Sequence, residues 1–186
     1  MKRLRPPVIV ALLAAAAASA QVLTPQYPGG YQPSFEEDKP WEEQKAALPP
    51  YPVIQRLVKV DVGRMGDFDF FVDPDSVALG KDNVFRYTLV ARSASGAMNV
   101  SFEGLRCNPR EHKIYAVGRS DGTWAQARRP EWVPILDTEA KMQYVVLPNE
   151  VFCFSGGPRS AEDAVYALKH GGSPQERATQ LRNQPR

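Results

Sequence analysis

Val84-Phe85-Arg86-Tyr87-Thr88-Leu89-Val90-Ala91-Arg92-Ser93 alternates for ten residues. Phe85, Tyr87, Leu89 and Ala91 fall on one face, and Arg86, Thr88, Val90 and Arg92 on the other. A period of two in a segment rich in β-branched and aromatic residues is a strand. Reading outward, Gly80-Lys81-Asp82-Asn83 is a turn before it and Ser95-Gly96 a reversal after it. Upstream, Leu57 to Val62 alternates, as does Phe68-Asp69-Phe70, and Asp73-Pro74-Asp75-Ser76 reads as a turn. Downstream, Asn99 to Cys107 is a strand with Val100, Phe102, Gly104 and Arg106 on one face and Asn99, Ser101, Glu103, Leu105 and Cys107 on the other. Asn108-Pro109-Arg110-Glu111 then turns the chain into a further strand, His112 to Arg119. Spacings this short leave no room for crossover helices, so the strands are expected to pair as antiparallel hairpins.

The flanks carry helical signals. Asp38 can cap a helix with Pro40 inside its first turn and Trp41 as its core anchor, ended by Pro49, Pro50 and Pro52. Glu139 to Leu147 reads either as a helix or, from Tyr144-Val145-Val146, as a strand, with Pro148 ending either. Val151 to Phe154 is a short apolar segment. Ser160 caps a helix through His170, with Asp163 completing an S-x-x-D box and Gly171 stopping it. The expected fold is α+β: an antiparallel meander of five or six strands with flanking N- and C-terminal helices.

Lys2, Arg3 and Arg5 precede an apolar run from Val8 to Ala18 that closes on Ala18-Ser19-Ala20. That order is a secretory signal peptide, with cleavage expected between Ala20 and Gln21. The run is about half the length needed to span a bilayer, so no stable membrane insertion is expected once the signal is removed. The expected organisation is a signal peptide (1–20), a Pro/Gly-rich leader (21–34), one domain (35–170) and a polar tail (171–186). The chain has 23 basic and 21 acidic residues, and the signal takes three of the basic ones, which leaves a net charge of −1 with His neutral. A near-neutral protein lacks the broad positive field that nucleic-acid binding uses, so no nucleic-acid partner is expected.

Two cysteines, Cys107 and Cys153, are an even pair in an exported chain and read as a disulfide; two buried free thiols are the alternative. The only histidines are His112 and His170. With so few ligands and no G-x-S-x-G elbow, neither a metal site nor a serine-nucleophile site is expected, and no cofactor is implied. Asp67, Asp69, Asp73 and Asp75 form an acidic cluster that reads as a solvated face plus turn chemistry, with a loose Ca²⁺ site as the alternative. Glu103 and Glu131 could be drawn as a glycosidase pair, but nothing in the sequence sets their separation. The richest surface candidate is Gly118 to Trp132, which gathers Arg119, Trp124, Arg128, Arg129 and Trp132. Arg and Trp dominate binding hot spots, and paired arginines suit a carboxylate or phosphate. The plainer reading, set ahead of the binding loop, is that Trp124 and Trp132 fold inward as a cap, with the arginines laid over them or solvated.

Several ordered blocks carry a family resemblance. Phe35-Glu36-Glu37-Asp38-Lys39-Pro40-Trp41, Phe71-Val72-Asp73-Pro74-Asp75-Ser76-Val77 and Arg86 to Ser93 are followed by Gly104-Leu105-Arg106-Cys107, Tyr115 to Arg119, Trp124 to Trp132 and Phe152-Cys153. In that order, over Phe35 to Phe154, they resemble the cryptic neisserial protein-like (CNP-like) family of small exported proteins of Gram-negative bacteria. The resemblance implies a single domain in the cell envelope and transfers no catalytic residue. More distantly, the strand order and late Cys are similar to surface-adhesin protein E-like domains, which implies a sheet bridged to the C-terminal region and, by analogy alone, surface or ligand binding. The expected function is a periplasmic, non-catalytic binding or interaction module whose partner is an envelope protein or a small anionic ligand. An envelope hydrolase of glycan or ester, using Glu103, Glu131 or His112, and a structural or stress-related envelope component are the alternatives.

Overall fold

A computed structural model describes residues 40–63, 68–136, 141–172 and Arg182. The expected signal peptide and leader, Asp38, Asp67, Glu139 and nearly all of the polar tail lie outside the described residues. The strands are β1 (Val58–Val60), β2 (Phe68–Leu79), β3 (Val84–Ser93), β4 (Met98–Arg106), β5 (Glu111–Gly118), β6 (Trp124–Gln126) and β7 (Val133–Pro134). They form one antiparallel sheet in the meander order β1-β2-β3-β4-β5-β6, with β7 also pairing with β5. Next come α1 (Met142–Val146), a π-helical segment Leu147–Phe152, the two-residue hairpin strands β8 (Cys153–Phe154) and β9 (Gly157–Pro158), and α2 (Ala161–His170).

The α+β class and the meander stand as the alternation implied, and so do the turns at Gly80–Asn83 and Ser95–Gly96. Asn83 adopts φ 59° and Gly96 φ 86°, left-handed values suited to Asn and Gly in tight turns. The Ser160 hydroxyl accepts from the Asp163 N–H at 3.1 Å, as the capping box required.

Three expectations are corrected. Asp73–Ser76 does not turn the chain: β2 runs through it as a bulge, with Asp73 opposite Thr88 and Ala78 opposite Arg86. The displaced ladder is mended locally, because the Ser76 hydroxyl donates to the Asp73 carbonyl at 2.7 Å and accepts from the Thr88 N–H at 2.7 Å. Pro148 does not end its helix, since hydrogen bonding widens to the π pattern at Leu147 and tolerates a residue with no N–H. The segment from Pro40 to Val53 holds no helix, so among the described residues α1 and α2 both lie on the C-terminal side of the sheet.

That N-terminal segment is a strap laid across the sheet. The Trp41 indole donates to the Asp82 carbonyl at 2.9 Å, the Gln44 N–H to the Asp82 carboxylate at 2.8 Å, and the Trp124 indole to the Pro49 carbonyl at 2.9 Å. Its consequence is visible in β3, where Val84 to Val90 are buried on both faces. Phe85, Tyr87 and Leu89 meet the helical layer, where Phe152 stacks 4.8 Å from Phe85 and 4.7 Å from Tyr87. Arg86, on the strap side, forms a two-pronged pair with Asp82 at 2.6 and 3.1 Å and donates to the Gln44 carbonyl at 2.8 Å. Burial pushes the Asp82 carboxyl up, but Arg86 and the backbone N–H groups outweigh it and hold it below the ordinary range. Cys107 is disulfide-bonded to Cys153, which fastens the end of β4 to the helical layer.

Candidate functional site

The strap and β5 together wall a groove of about 550 Å³, within the range of small-ligand sites. Glu43, Lys45 and Leu48 line it from the strap, Lys113 and Tyr115 from β5, and Gln126 and Pro130 from the Gly118–Trp132 stretch. Lys113 and Tyr115, two residues apart on β5, share the strap face, and a second bulge leaves Tyr115 as the extra residue between the Phe102–Ala116 and Glu103–Ile114 pairs. Tyr115 lies so close over Gly104 that a Cβ there would sit 2.7 Å from the phenol oxygen, so any larger residue would push the Tyr115 ring aside.

Glu43 is the hub. Lys113 donates to it at 2.8 and 3.1 Å and the Trp132 indole at 3.1 Å. Burial raises the Glu43 carboxyl, and hydrogen bonds from Lys113 and Trp132, together with the Lys113 charge, more than offset it, so the group stays ionised. Beside it the Arg106 guanidinium lies 3.7 Å over the Trp41 ring, and Trp41 meets Trp132 edge-on at 5.9 Å. Arg106 also pairs with Glu111 at 3.0 Å.

The sequence-derived candidates divide. Trp132 joins the groove's hub. Trp124 is half-buried, with its ring 5.4 Å from Tyr51 and 6.2 Å from Phe102. Arg119 is exposed, and its carbonyl accepts from the Tyr51 hydroxyl at 3.0 Å. Arg128 and Arg129 are exposed between Gln126 and Pro130. Sequence reasoning missed Glu43, Lys113 and Tyr115. The period of two in β5 put Lys113 and Tyr115 on one face, but nothing local marked Glu43, which reaches Trp132 across 89 residues.

A second cluster sits on the helix face. Glu103 is 1% exposed and accepts from Ser101 at 2.6 Å, Tyr87 at 3.3 Å and Tyr144 at 3.3 Å. Burial pushes its carboxyl up to about 7, against the pull of those three hydroxyls. His112 stacks on Tyr144 at 3.7 Å, and burial with the nearby Lys141 charge pulls the imidazole down to about 4. The partner drawn for Glu103 on sequence, Glu131, is exposed, so the two carboxylates occupy unlike surroundings.

The acidic cluster is dispersed. Asp69 pairs with Lys59 at 2.7 Å, Asp75 with Arg56, and Asp73 is buried in the β2 bulge, where it accepts from the Asp75 N–H. Among the described residues no group of three or more His, Cys, Asp or Glu could hold a metal ion, and no helix is long and apolar enough to cross a membrane.

No curated protein and no solved structure matches this chain. A family model does: the CNP1-like family matches residues 36–169, a span that takes in the strap, the whole sheet, α1 and all of α2 but its last residue. On that match the chain belongs to the CNP1-like family.

Proposed function

We propose that the protein is an exported, non-catalytic binding module of the cell envelope that engages an envelope protein or a small anionic ligand through the strap–β5 groove. The groove carries this reading. Its one lining carboxylate, Glu43, is satisfied by Lys113 and Trp132, while Lys45 lines it and Arg128 and Arg129 stand exposed beside it with no ion pair among the described residues. Those cations, over a floor that includes Tyr115 and Leu48, suit an acidic partner. Export is supported by the signal-like first 20 residues and by the Cys107–Cys153 bridge, which belongs to an oxidising compartment. N-terminal sequencing of the mature protein is expected to begin at Gln21.

The test is a photo-crosslinking residue placed at Gln126 in the groove, compared with one at Lys169 on α2, in cells. The expected outcome is an adduct of discrete mass at position 126 alone, lost when Arg128→Glu and Arg129→Glu are combined. No adduct, or equal adducts at both positions, overturns the reading. Turnover of an ester or glycoside that Glu103→Gln, Glu131→Gln or His112→Gln abolishes would replace it with the hydrolase. An envelope defect on deletion with no saturable binding would replace it with a structural role.

A further inference from the structure

The opposite face of the sheet carries a separate, smaller cleft between β7 and α1. We propose that it binds a small monocarboxylate whose apolar body is about the size of one six-membered ring. The cleft measures about 150 Å³. A cavity of about that volume is known to take benzene, so the space fits one ring or a short branched chain. Val133, Ile135 and Leu136 supply apolar wall, and Leu136 is 67% exposed. The floor is the stacked pair His112 and Tyr144.

Polar features choose the head group. His112 is 7% exposed, and its Nδ1 is buried with no hydrogen-bond partner among the described residues. A buried ring nitrogen left without a partner is costly, and a ligand reaching it removes that cost. The Tyr144 hydroxyl is not available for this, because it donates to Glu103 on the other side of the ring at 3.3 Å. Lys141 also lines the cleft, close enough to His112 to disfavour a charge on the imidazole. The lining therefore holds a neutral imidazole and an ammonium, with no carboxylate among its described residues. One carboxylate oxygen would accept from the Nδ1–H tautomer of His112 and the other would face Lys141, while a cationic head group would meet Lys141 with the wrong sign.

The experiment uses the mature protein in an NMR titration with benzoate and 4-methylpentanoate, with benzyl alcohol and benzylammonium as head-group controls. Saturable shifts of the His112 and Tyr144 ring signals are expected for both acids, with a dissociation constant at or below about 1 mM. Lys141→Met is expected to weaken benzoate about fivefold while leaving benzyl alcohol unchanged. Leu136→Asp, at a site exposed enough to spare the fold, is expected to abolish binding of both acids. The proposal is overturned by an absence of saturable shifts at His112 up to about 10 mM acid, by benzylammonium binding as tightly as benzoate, or by a benzoate affinity that Lys141→Met leaves unchanged. The strap–β5 groove takes no part in any of these outcomes.

Discussion

On one face of β3, Phe85, Tyr87 and Leu89 press into a helical layer built around Leu147, Phe152 and Ala164, all fully buried. On the other, Arg86 and its neighbours meet a strap that has no repeating hydrogen bonds of its own and is held by side chains that reach backbone atoms. The helix face is closed largely by non-directional burial, with Glu103 and His112 sealed inside it. The strap face is closed by directed bonds and by cations on aromatic rings. The strap face also carries the groove of about 550 Å³.

The largest expected break in this comparison is removal of the Cys107–Cys153 bridge, which spans 46 residues and belongs to the helix face alone. Changing both cysteines to Ser is expected to cost about 4 kcal/mol in urea unfolding by the chain-entropy model. The strap should stay docked until the whole domain melts, as Trp41 fluorescence would report. Next is Arg86→Met, which strands the Asp82 carboxylate under the strap. It is expected to cost about 3 kcal/mol and, unlike the disulfide variant, to undock Trp41 before the helical layer melts.

The pH profile sharpens the contrast, because Glu103 and His112, the two groups that burial shifts into the range between pH 4 and 7, both lie on the helix face. Glu103 is raised from 4.5 to about 7 on folding, so its contribution is complete below 4.5 and is lost as pH rises through about 7. His112 is lowered from 6.5 to about 4, so its contribution is complete above 6.5 and is lost as pH falls through about 4. Between pH 4.5 and 6.5 the two slopes oppose each other, and this pair leaves stability level. Glu103→Gln is expected to expose the His112 slope, with stability rising up to about 1.4 kcal/mol per pH unit across that window. An unaltered profile in that variant would show that Glu103 is not protonated in the fold. The smallest effect is Ser160→Ala, which removes the α2 cap and is expected to cost about 1 kcal/mol in thermal unfolding, with no change at the strap.

The two faces also differ in how far they were legible. The strands and α2 announce themselves because alternation and capping are local: Val84 to Ser93 and Ser160 to Gly171 need no distant partner to be read. The strap follows no period. Its prolines and charges look like a capped helix, and only Asp82, Arg86 and Trp124 make it a covering layer. Asp73–Ser76 has the composition of a turn, yet the Ser76 hydroxyl stands in for a strand carbonyl, a substitution visible only once Thr88 is placed opposite. In the groove, Trp132 was legible as an aromatic anchor. Glu43 was not, because a carboxylate in a charged run gains its meaning from the Lys113 it meets.

The strap also fixes an order of events. It leaves the ribosome before any strand, yet its anchors lie far downstream, Asp82 38 residues beyond Gln44 and Trp132 89 beyond Glu43. Hairpins close over short loops and form early, whereas contacts this distant in sequence form late. The first-made part of the domain is therefore the last to settle. Until it does, the outer side of β3, with Val84 and Val90, stays open to water and to whatever escorts the nascent chain.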